Sequence, residues 1–204
     1  MLFQDQISSF FRPPTKGNPD GSSRSVLFVL RRDLCSLYGT EDGPRLREPH
    51  GPPMLTTIGM CSGLDLLSWI VMGNADARVP GKSDYERFLV EFGGLTENDA
   101  KTVYQFRCAQ THSYGLYTVV RQQPKPKPVG FTLTTLPDIQ VLVQPHPGQA
   151  DHFVVNFWEF KALFMRSIGE LHRRLLDHNA ADHSRLLDGF YKTSTRIGFI
   201  SCID

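Results

Sequence analysis

The feature that most constrains this fold is the spacing of apolar residues in the C-terminal third of the chain. Between Trp158 and His178, apolar side chains recur at steps of three and four residues: Phe160, Phe164, Ile168, Leu171 and Leu175. This spacing matches the turn of an α-helix that is packed along its length. The same period predicts further helices over 26–38, 55–72, 84–92, 96–113 and 186–196. Several amphipathic helices require a common core, so we expect a helical bundle.

The helix expected from Thr96 carries a start signal of its own. Thr96 is followed three residues later by Asp99, which resembles a capping box with aspartate in the place where glutamate is usual. The pair Gly93-Gly94 is expected to end the preceding helix, and Gly115 to end this one.

The pattern changes in the middle of the chain. The proline-rich run Gln122–Pro128 is predicted to be neither a helix nor a central strand. Residues 131–134 and 139–143 then alternate with period two around Pro137-Asp138, which predicts an antiparallel hairpin. Residues 152–157 are expected to add a third strand. The predicted fold class is therefore mainly α, a helical bundle with a small antiparallel β-hairpin or sheet insert.

Two regions are expected along the chain. Residues 1–23 are predicted to form an N-terminal helix and a loop rich in Gly, Pro and Ser. Residues 24–204 are predicted to form one helical domain with its β-insert at about 129–157. A chain of 204 residues buries an adequate core without disulfides or metals. Its four cysteines form no C-x-x-C pair and are expected to be reduced thiols of a cytoplasmic protein.

Charge and hydropathy argue against two classes of protein. The formal net charge of +1 is not the global signature of a nucleic-acid-binding protein, although a local basic patch remains possible. The most apolar window, Met54–Met72, is interrupted by Ser62, Asp65 and Ser68. These interruptions indicate a core helix rather than a membrane span, so we expect no membrane partner.

The best candidate for chemistry lies on the helix predicted over 96–113. Ala100, Val103 and Tyr104 form its inward stripe, and Arg107 falls on the same stripe. A guanidinium in such a position is costly unless it is paired, because it cannot lose its charge. We therefore expect it to serve an ion pair, an interface or an anion. Asp65, inside an apolar helix, is a candidate partner in a purely structural role.

His112 follows Arg107 after four intervening residues. A five-residue offset turns about 140° around a regular helix, so the two side chains share a face only if the helix relaxes near its end. The same spacing recurs twice in segments for which solvated side chains are the better interpretation: Arg45/His50 and Arg173/His178. Arg107 and His112 differ because aromatic residues surround them: Tyr104, Phe106 and Tyr114.

The segment Tyr104–Gly115, with the helix of Leu64–Leu67 before it and the β-insert and long helix after it, resembles the HEPN superfamily. The shared motif of that family is an arginine, four to six residues, and a histidine. The resemblance implies a helical bundle, often a homodimer, and frequently a metal-independent endoribonuclease that serves as a toxin or in antiviral defence. It also implies that the motif residues of two subunits meet across a two-fold axis.

The resemblance assigns a role to each motif residue. His112 would be the general acid and base that cleaves RNA, and Arg107 would stabilise the negative charge that develops on the phosphate. No metal and no cofactor are needed. Supporting side chains are expected from five residues: Asp65, Tyr104, Cys108, Gln110 and Ser113.

Other interpretations remain open. Active HEPN proteins commonly carry a polar residue directly after the arginine, where this chain has Cys108. A non-catalytic interaction module, or a subunit of a larger complex with a partner protein, is the main alternative; nucleotide binding is a weaker one. A basic helix face could contact RNA or an acidic partner, although a solvated face is the default: Arg166, His172, Arg173 and Arg174. Four loop residues match no metal-ligand pattern: Asp138, His146, Asp151 and His152.

Overall fold

A computed structural model describes residues 3–13, 23–38, 51–72, 82–113, 116–120, 127–197 and 199–201. Within these ranges the helices are α1 (Phe3–Phe10), α2 (Val26–Tyr38), α3 (Pro53–Met72), α4 (Lys82–Glu91), α5 (Glu97–Ser113), α6 (Phe157–Leu176) and α7 (His183–Ile197). The strands are β1 (Ser23–Ser25), β2 (Tyr117–Val120), β3 (Lys127–Thr134), β4 (Val143–Pro145), β5 (His152–Asn156) and β6 (Phe199–Ser201). The predicted class, mainly α with a small β-insert, is confirmed.

The helix α3 lies at the centre of the bundle. It packs against α2, α4, α5, α6 and α7, and Leu64, Leu67 and Ile70 are fully buried. In the part of the chain that the structure describes, it is the one helix long and apolar enough to cross a membrane. Of that apolar window, 61% is buried inside the protein, as expected of the core helix of a soluble protein. The prediction of a core helix is therefore confirmed.

The N-terminal helix α1 belongs to the same core. Ile7, Phe10 and Phe11 are at most 1% exposed. The ring of Phe10 meets that of Phe190 on α7 edge to face, with 5.2 Å between the centroids. Nη1 of Arg31 on α2 donates to the carbonyl oxygen of Phe11 at 2.7 Å. β1 pairs with β6 in an antiparallel ladder, so the strand directly before α2 meets the last described residues of the chain.

The start of α5 has the predicted capping residues. The backbone N–H of Asp99 donates to Oγ1 of Thr96 at 3.2 Å, and the Thr96 hydroxyl donates to Oδ2 of Asp99 at 2.8 Å. Before it, Gly94 has a φ of +67°, which a glycine adopts without steric cost after the end of α4.

The hairpin predicted between residues 131–134 and 139–143 is not formed, whereas the third strand predicted over 152–157 is present as β5. The strand β5 lies between β3 and β4, so the four strands take the order β2-β3-β5-β4. β5 is parallel to β3 and antiparallel to β4, and residues 139–142 form no strand. The alternation of side chains identified the strand at 131–134, but it does not show which neighbour a segment pairs with, and it placed the next strand too early. The β-insert is therefore a small mixed sheet.

The strand β2 and the first residues of β3 are not predicted by the sequence pattern. Lys127 and Pro128 were placed in a run that cannot form a central strand, whereas β3 is central and begins at Lys127. Pro128 lies opposite Val119 of β2, and the pairing of β3 with β5 begins only at Gly130. At Pro128 the strand therefore has a neighbouring strand on one side only. Proline is tolerated there because its missing N–H group leaves no second ladder without a hydrogen bond. The rest of the proline-rich run, 122–126, lies outside the described residues.

Asn156 joins the sheet to α6, and its loss is expected to be costly. Its Oδ1 accepts hydrogen bonds from the N–H groups of Trp158 and Glu159, and its Nδ2 donates to the carbonyl of Leu136 at 3.0 Å. The residue is fully buried. We expect Asn156→Ala to lower the free energy of unfolding by about 2 kcal/mol, at the upper end for a helix N-cap. Urea titration measures this loss. Asn156→Ser keeps a capping oxygen but, like alanine, has no amide group to donate to Leu136, so an equal loss in both variants would contradict the capping role.

Candidate functional site

The charged pair predicted as a possibility, Arg107 with Asp65, is present in the structure. Arg107 on α5 donates from Nε and Nη2 to Oδ2 of Asp65 on α3, at 3.0 and 2.6 Å. The two side chains are 12% and 23% exposed, respectively. Both helices therefore hold this guanidinium in one orientation at the edge of the core.

The local sequence explains why Arg107 lies at an edge rather than in the centre. On α5, Ala100, Val103 and Phe106 are fully buried, whereas Tyr104 and Arg107 are half-buried. The apolar stripe of the helix is thus bordered by a phenol and a guanidinium. Asp65 is likewise half-buried on α3 and faces this border. A buried arginine with a carboxylate partner is tolerated where an unpaired one is not.

The surroundings of the pair set its protonation state. Burial lowers the pKa of Arg107, but the hydrogen bond and the charge of Asp65 outweigh it and leave the pKa above its ordinary value. Burial raises the pKa of Tyr104 to about 12, and it raises the pKa of the fully buried Cys61 and Tyr85 as well. These three groups stay neutral near pH 7. None of them is a base for proton transfer at that pH, so the guanidinium is the charged group that the cluster offers beside Asp65.

The other predicted site residues fall into two groups. The ring of Tyr104 packs edge to face on that of Tyr85, with 5.7 Å between the centroids. The half-buried thiol of Cys108 lies close enough to contribute to the raised pKa of both Tyr104 and Arg107. Gln110 is fully buried. The backbones of His112 and Ser113 complete the last turn of α5, but their side chains lie outside the described residues. The structure thus brings together Asp65, Tyr104, Arg107 and Cys108.

Sequence reasoning missed an apolar groove between α2 and α3. It has a volume of about 450 Å³, and Asp65 is one of its lining residues. Its floor depends on the glycines of α3, because a Cβ on Gly63 would lie 2.8 Å from Cδ2 of Leu30 and 2.6 Å from Cε2 of Phe164. The signal in the sequence was the pair Gly59 and Gly63, four residues apart in an apolar helix. The charged pair of Asp65 and Arg107 therefore borders a groove.

The arginines of the predicted basic face of α6 form contacts within the protein. Arg173 and Arg174 both form ion pairs with Glu170, at 2.7 and 2.9 Å. The hydrogen bond from Arg173, opposed by partial burial and helped by Arg174, lowers the pKa of Glu170 to about 2. Nε of Arg166 donates to the carbonyl of Gly93 at 2.8 Å. These contacts favour the interpretation of a solvated, structural face over a surface for RNA.

His172, also on α6, is expected to make stability fall in mild acid. Its ring stacks on that of Phe11 at 4.9 Å, and burial, followed by the charge of Arg31, lowers its pKa from the ordinary 6.5. The unfolded chain therefore binds this proton more readily than the folded one. The stabilising contribution is present above pH 6.5 and is lost as the pH falls below it.

The variant His172→Leu isolates this effect. Urea titrations at about pH 7.5 and about pH 5.5 should show a smaller loss of stability in His172→Leu than in the unmodified protein, because one acid-sensitive group is gone. Equal losses in both proteins would show that His172 does not contribute.

The residues considered as metal ligands form local contacts instead. The rings of His146 and His152 lie 4.9 Å apart, Nε2 of His152 is 2.8 Å from Oγ1 of Thr132, and Lys127 forms an ion pair with Asp151. Among the residues that the structure describes, no three His, Cys, Asp or Glu side chains are grouped closely enough to hold a metal ion.

The fold and the site define a mainly helical protein with a fixed arginine–aspartate pair beside an apolar groove. No family model matches this chain, and no curated protein or solved structure matches it either.

Proposed function

We propose that this chain is a metal-independent endoribonuclease of the HEPN type that acts as a homodimer in the cytoplasm. One observation carries the proposal. The two hydrogen bonds that Arg107 donates to Asp65 fix its guanidinium on the helix that carries His112 five residues later. A guanidinium held in advance stabilises developing negative charge without the cost of reorganisation during the reaction.

The chemistry of RNA cleavage fits these residue types. A base removes the proton of the 2′-hydroxyl, O2′ attacks the adjacent phosphorus, and the bond from phosphorus to O5′ breaks as an acid protonates O5′. The products are a 2′,3′-cyclic phosphate and a 5′-hydroxyl. Histidine serves as base or acid near neutral pH, and an arginine fork binds the non-bridging phosphate oxygens. Two copies of the chain would supply two histidines, one for each proton transfer.

A non-catalytic interaction module is the second candidate, and two observations favour it. Asp65 already neutralises Arg107 in a half-buried position, so a phosphate would have to compete with that carboxylate. An apolar groove borders the same pair and offers a binding surface that needs no chemistry. In this case Arg107 is a structural residue that ties α5 to α3.

The experiment that separates the two functions is cleavage of end-labelled single-stranded RNA by the purified protein in excess EDTA. Ribonuclease activity predicts fragments that end in 2′,3′-cyclic phosphate, together with a dimer by sedimentation. A folded protein that leaves the RNA intact over a range of concentrations would overturn the ribonuclease and leave the interaction module.

A further inference from the structure

We propose that the groove between α2 and α3 is the docking site for an amphipathic helix of a partner protein, of which a lysine or arginine side chain binds Asp33. The groove is a feature of the described residues that the proposed ribonuclease chemistry does not use. The proposal stands independently of that chemistry, because its tests measure binding rather than cleavage.

The length of the groove fits a short helix. Its lining runs from Val26 to Asp33 on α2 and from Gly59 to Trp69 on α3. At about 1.5 Å per residue these stretches are about 10–15 Å long, or two to three helical turns. A helix of that length places apolar side chains at i, i+3 or i+4, and i+7 in one groove, which is a common mode of peptide recognition.

The lining is apolar in its centre and acidic at two points. Val29, Leu30 and Leu66 contribute aliphatic surface, whereas Asp33 and Asp65 are the charged residues that line the groove. No lysine or arginine lines it in the described part of the chain. Apolar walls with carboxylates and no cation fit a partner with apolar anchors and basic flanks better than an acidic one.

The carboxylate of Asp33 can exchange its present ion-pair partner, Arg32, for a cation of another protein. It binds Arg32 at 2.7 Å, and the two side chains are 53% and 42% exposed. An ion pair at such exposure contributes about 0–1 kcal/mol, so an incoming lysine or arginine replaces Arg32 at little cost. The carboxylate of Asp65 also lines the groove, but it is already paired with Arg107, so Asp33 is the carboxylate that an incoming cation binds.

The probes for the test are two synthetic peptides of about four helical turns, a length that exceeds the groove. One carries leucine at i, i+3, i+4 and i+7 with lysine elsewhere, and its counterpart carries glutamate in place of lysine. Fluorescence anisotropy at low salt should show that the lysine peptide binds the full chain at least about tenfold more tightly than the glutamate peptide. Equal affinities for the two peptides would overturn the proposal.

Variants of the groove locate the binding. Ser62 lines the groove, is exposed, and donates only to the carbonyl of Ile58 among the hydrogen bonds described. Ser62→Trp fills the groove and should abolish binding of the lysine peptide, whereas the matched control Ser62→Ala should bind as the unmodified protein does. Asp33→Asn should weaken binding by about twofold to fivefold, as expected for one exposed charge pair.

Two further measurements complete the test. If Ser62→Trp fails to fold by circular dichroism, Val29→Lys replaces it, because a cation in the groove should repel the lysine peptide. Undiminished binding by a folded Ser62→Trp or Val29→Lys variant would place the peptide elsewhere and overturn the proposal. Sedimentation of the unmodified protein and of Ser62→Trp tests whether a second copy of the chain fills the groove instead. A dimer that only the tryptophan disrupts would assign the groove to a second copy, which would also overturn it.

Discussion

Replacing His112 with alanine is expected to lower the rate of RNA cleavage in EDTA by about 10²–10⁴-fold, the usual contribution of a general acid–base residue. Imidazole has an ordinary pKa near neutrality and can therefore give or take a proton there. Burial raises the pKa of Tyr104, Cys61 and Tyr85, so these neighbouring groups stay neutral and do not serve as the base. Single-turnover cleavage of labelled RNA measures the effect. With the unmodified protein, the rate should also follow a bell-shaped pH profile, because one histidine of a pair must be neutral and the other protonated.

The control for His112→Ala is the integrity of the protein. The variant should retain its circular dichroism spectrum and its sedimentation behaviour, so that loss of rate is not loss of fold. His112→Gln, which keeps a hydrogen-bonding side chain but does not titrate, should be as inactive as His112→Ala. Cleavage at the same rate in all three proteins would mean that a contaminant cleaves the RNA or that His112 has no role in the reaction.

Replacing Arg107 with alanine is expected to lower the free energy of unfolding by about 3 kcal/mol, at the low end of the range for breaking a buried ion pair. The reason is that the carboxylate of Asp65, only 23% exposed, loses the two hydrogen bonds that Arg107 donates to it. The low end applies because this carboxylate keeps some contact with water. Urea titration at neutral pH measures the change.

A double-mutant cycle separates the pair from its surroundings. Asp65→Asn alone leaves the guanidinium with a neutral partner, Arg107→Gln alone leaves the carboxylate without its cation, and the combination of these two substitutions removes both charges. If the pair is coupled, the double variant should be more stable than the sum of the single losses predicts. Additive losses would show that the two hydrogen bonds do not hold α3 and α5 together.

The same position also distinguishes a structural arginine from a functional one. Arg107→Lys keeps the charge beside Asp65 but loses the planar fork, so it should retain much of the stability. If Arg107 also binds phosphate, cleavage by Arg107→Lys should fall far more than stability does. If cleavage and stability fall in parallel, Arg107 only ties α5 to α3.

The helices could be predicted from the sequence because their signals are local. The period of Phe160, Phe164 and Ile168 fixes which face of α6 is buried, and all three are at most 3% exposed. Thr96 and Asp99 cap α5 through contacts three residues apart. The pairing of the strands was not local. β5 enters between β3 and β4 from farther along the chain, so the alternation of residues 131–134 could not identify its partner.

In the candidate site, too, some features followed from the local sequence and others from long-range packing. The sequence alone determined that Arg107 lies on the inward side of a helix and therefore needs a partner, and it offered Asp65 as a carboxylate in an apolar helix. Only the tertiary structure decided that these two residues meet, because 42 residues separate them along the chain. The groove also depended on the tertiary structure, since it exists only where Leu30 of α2 approaches the glycines of α3. Periodicity fixes the face that each helix buries, whereas long-range packing decides which faces come into contact and where a gap remains between them.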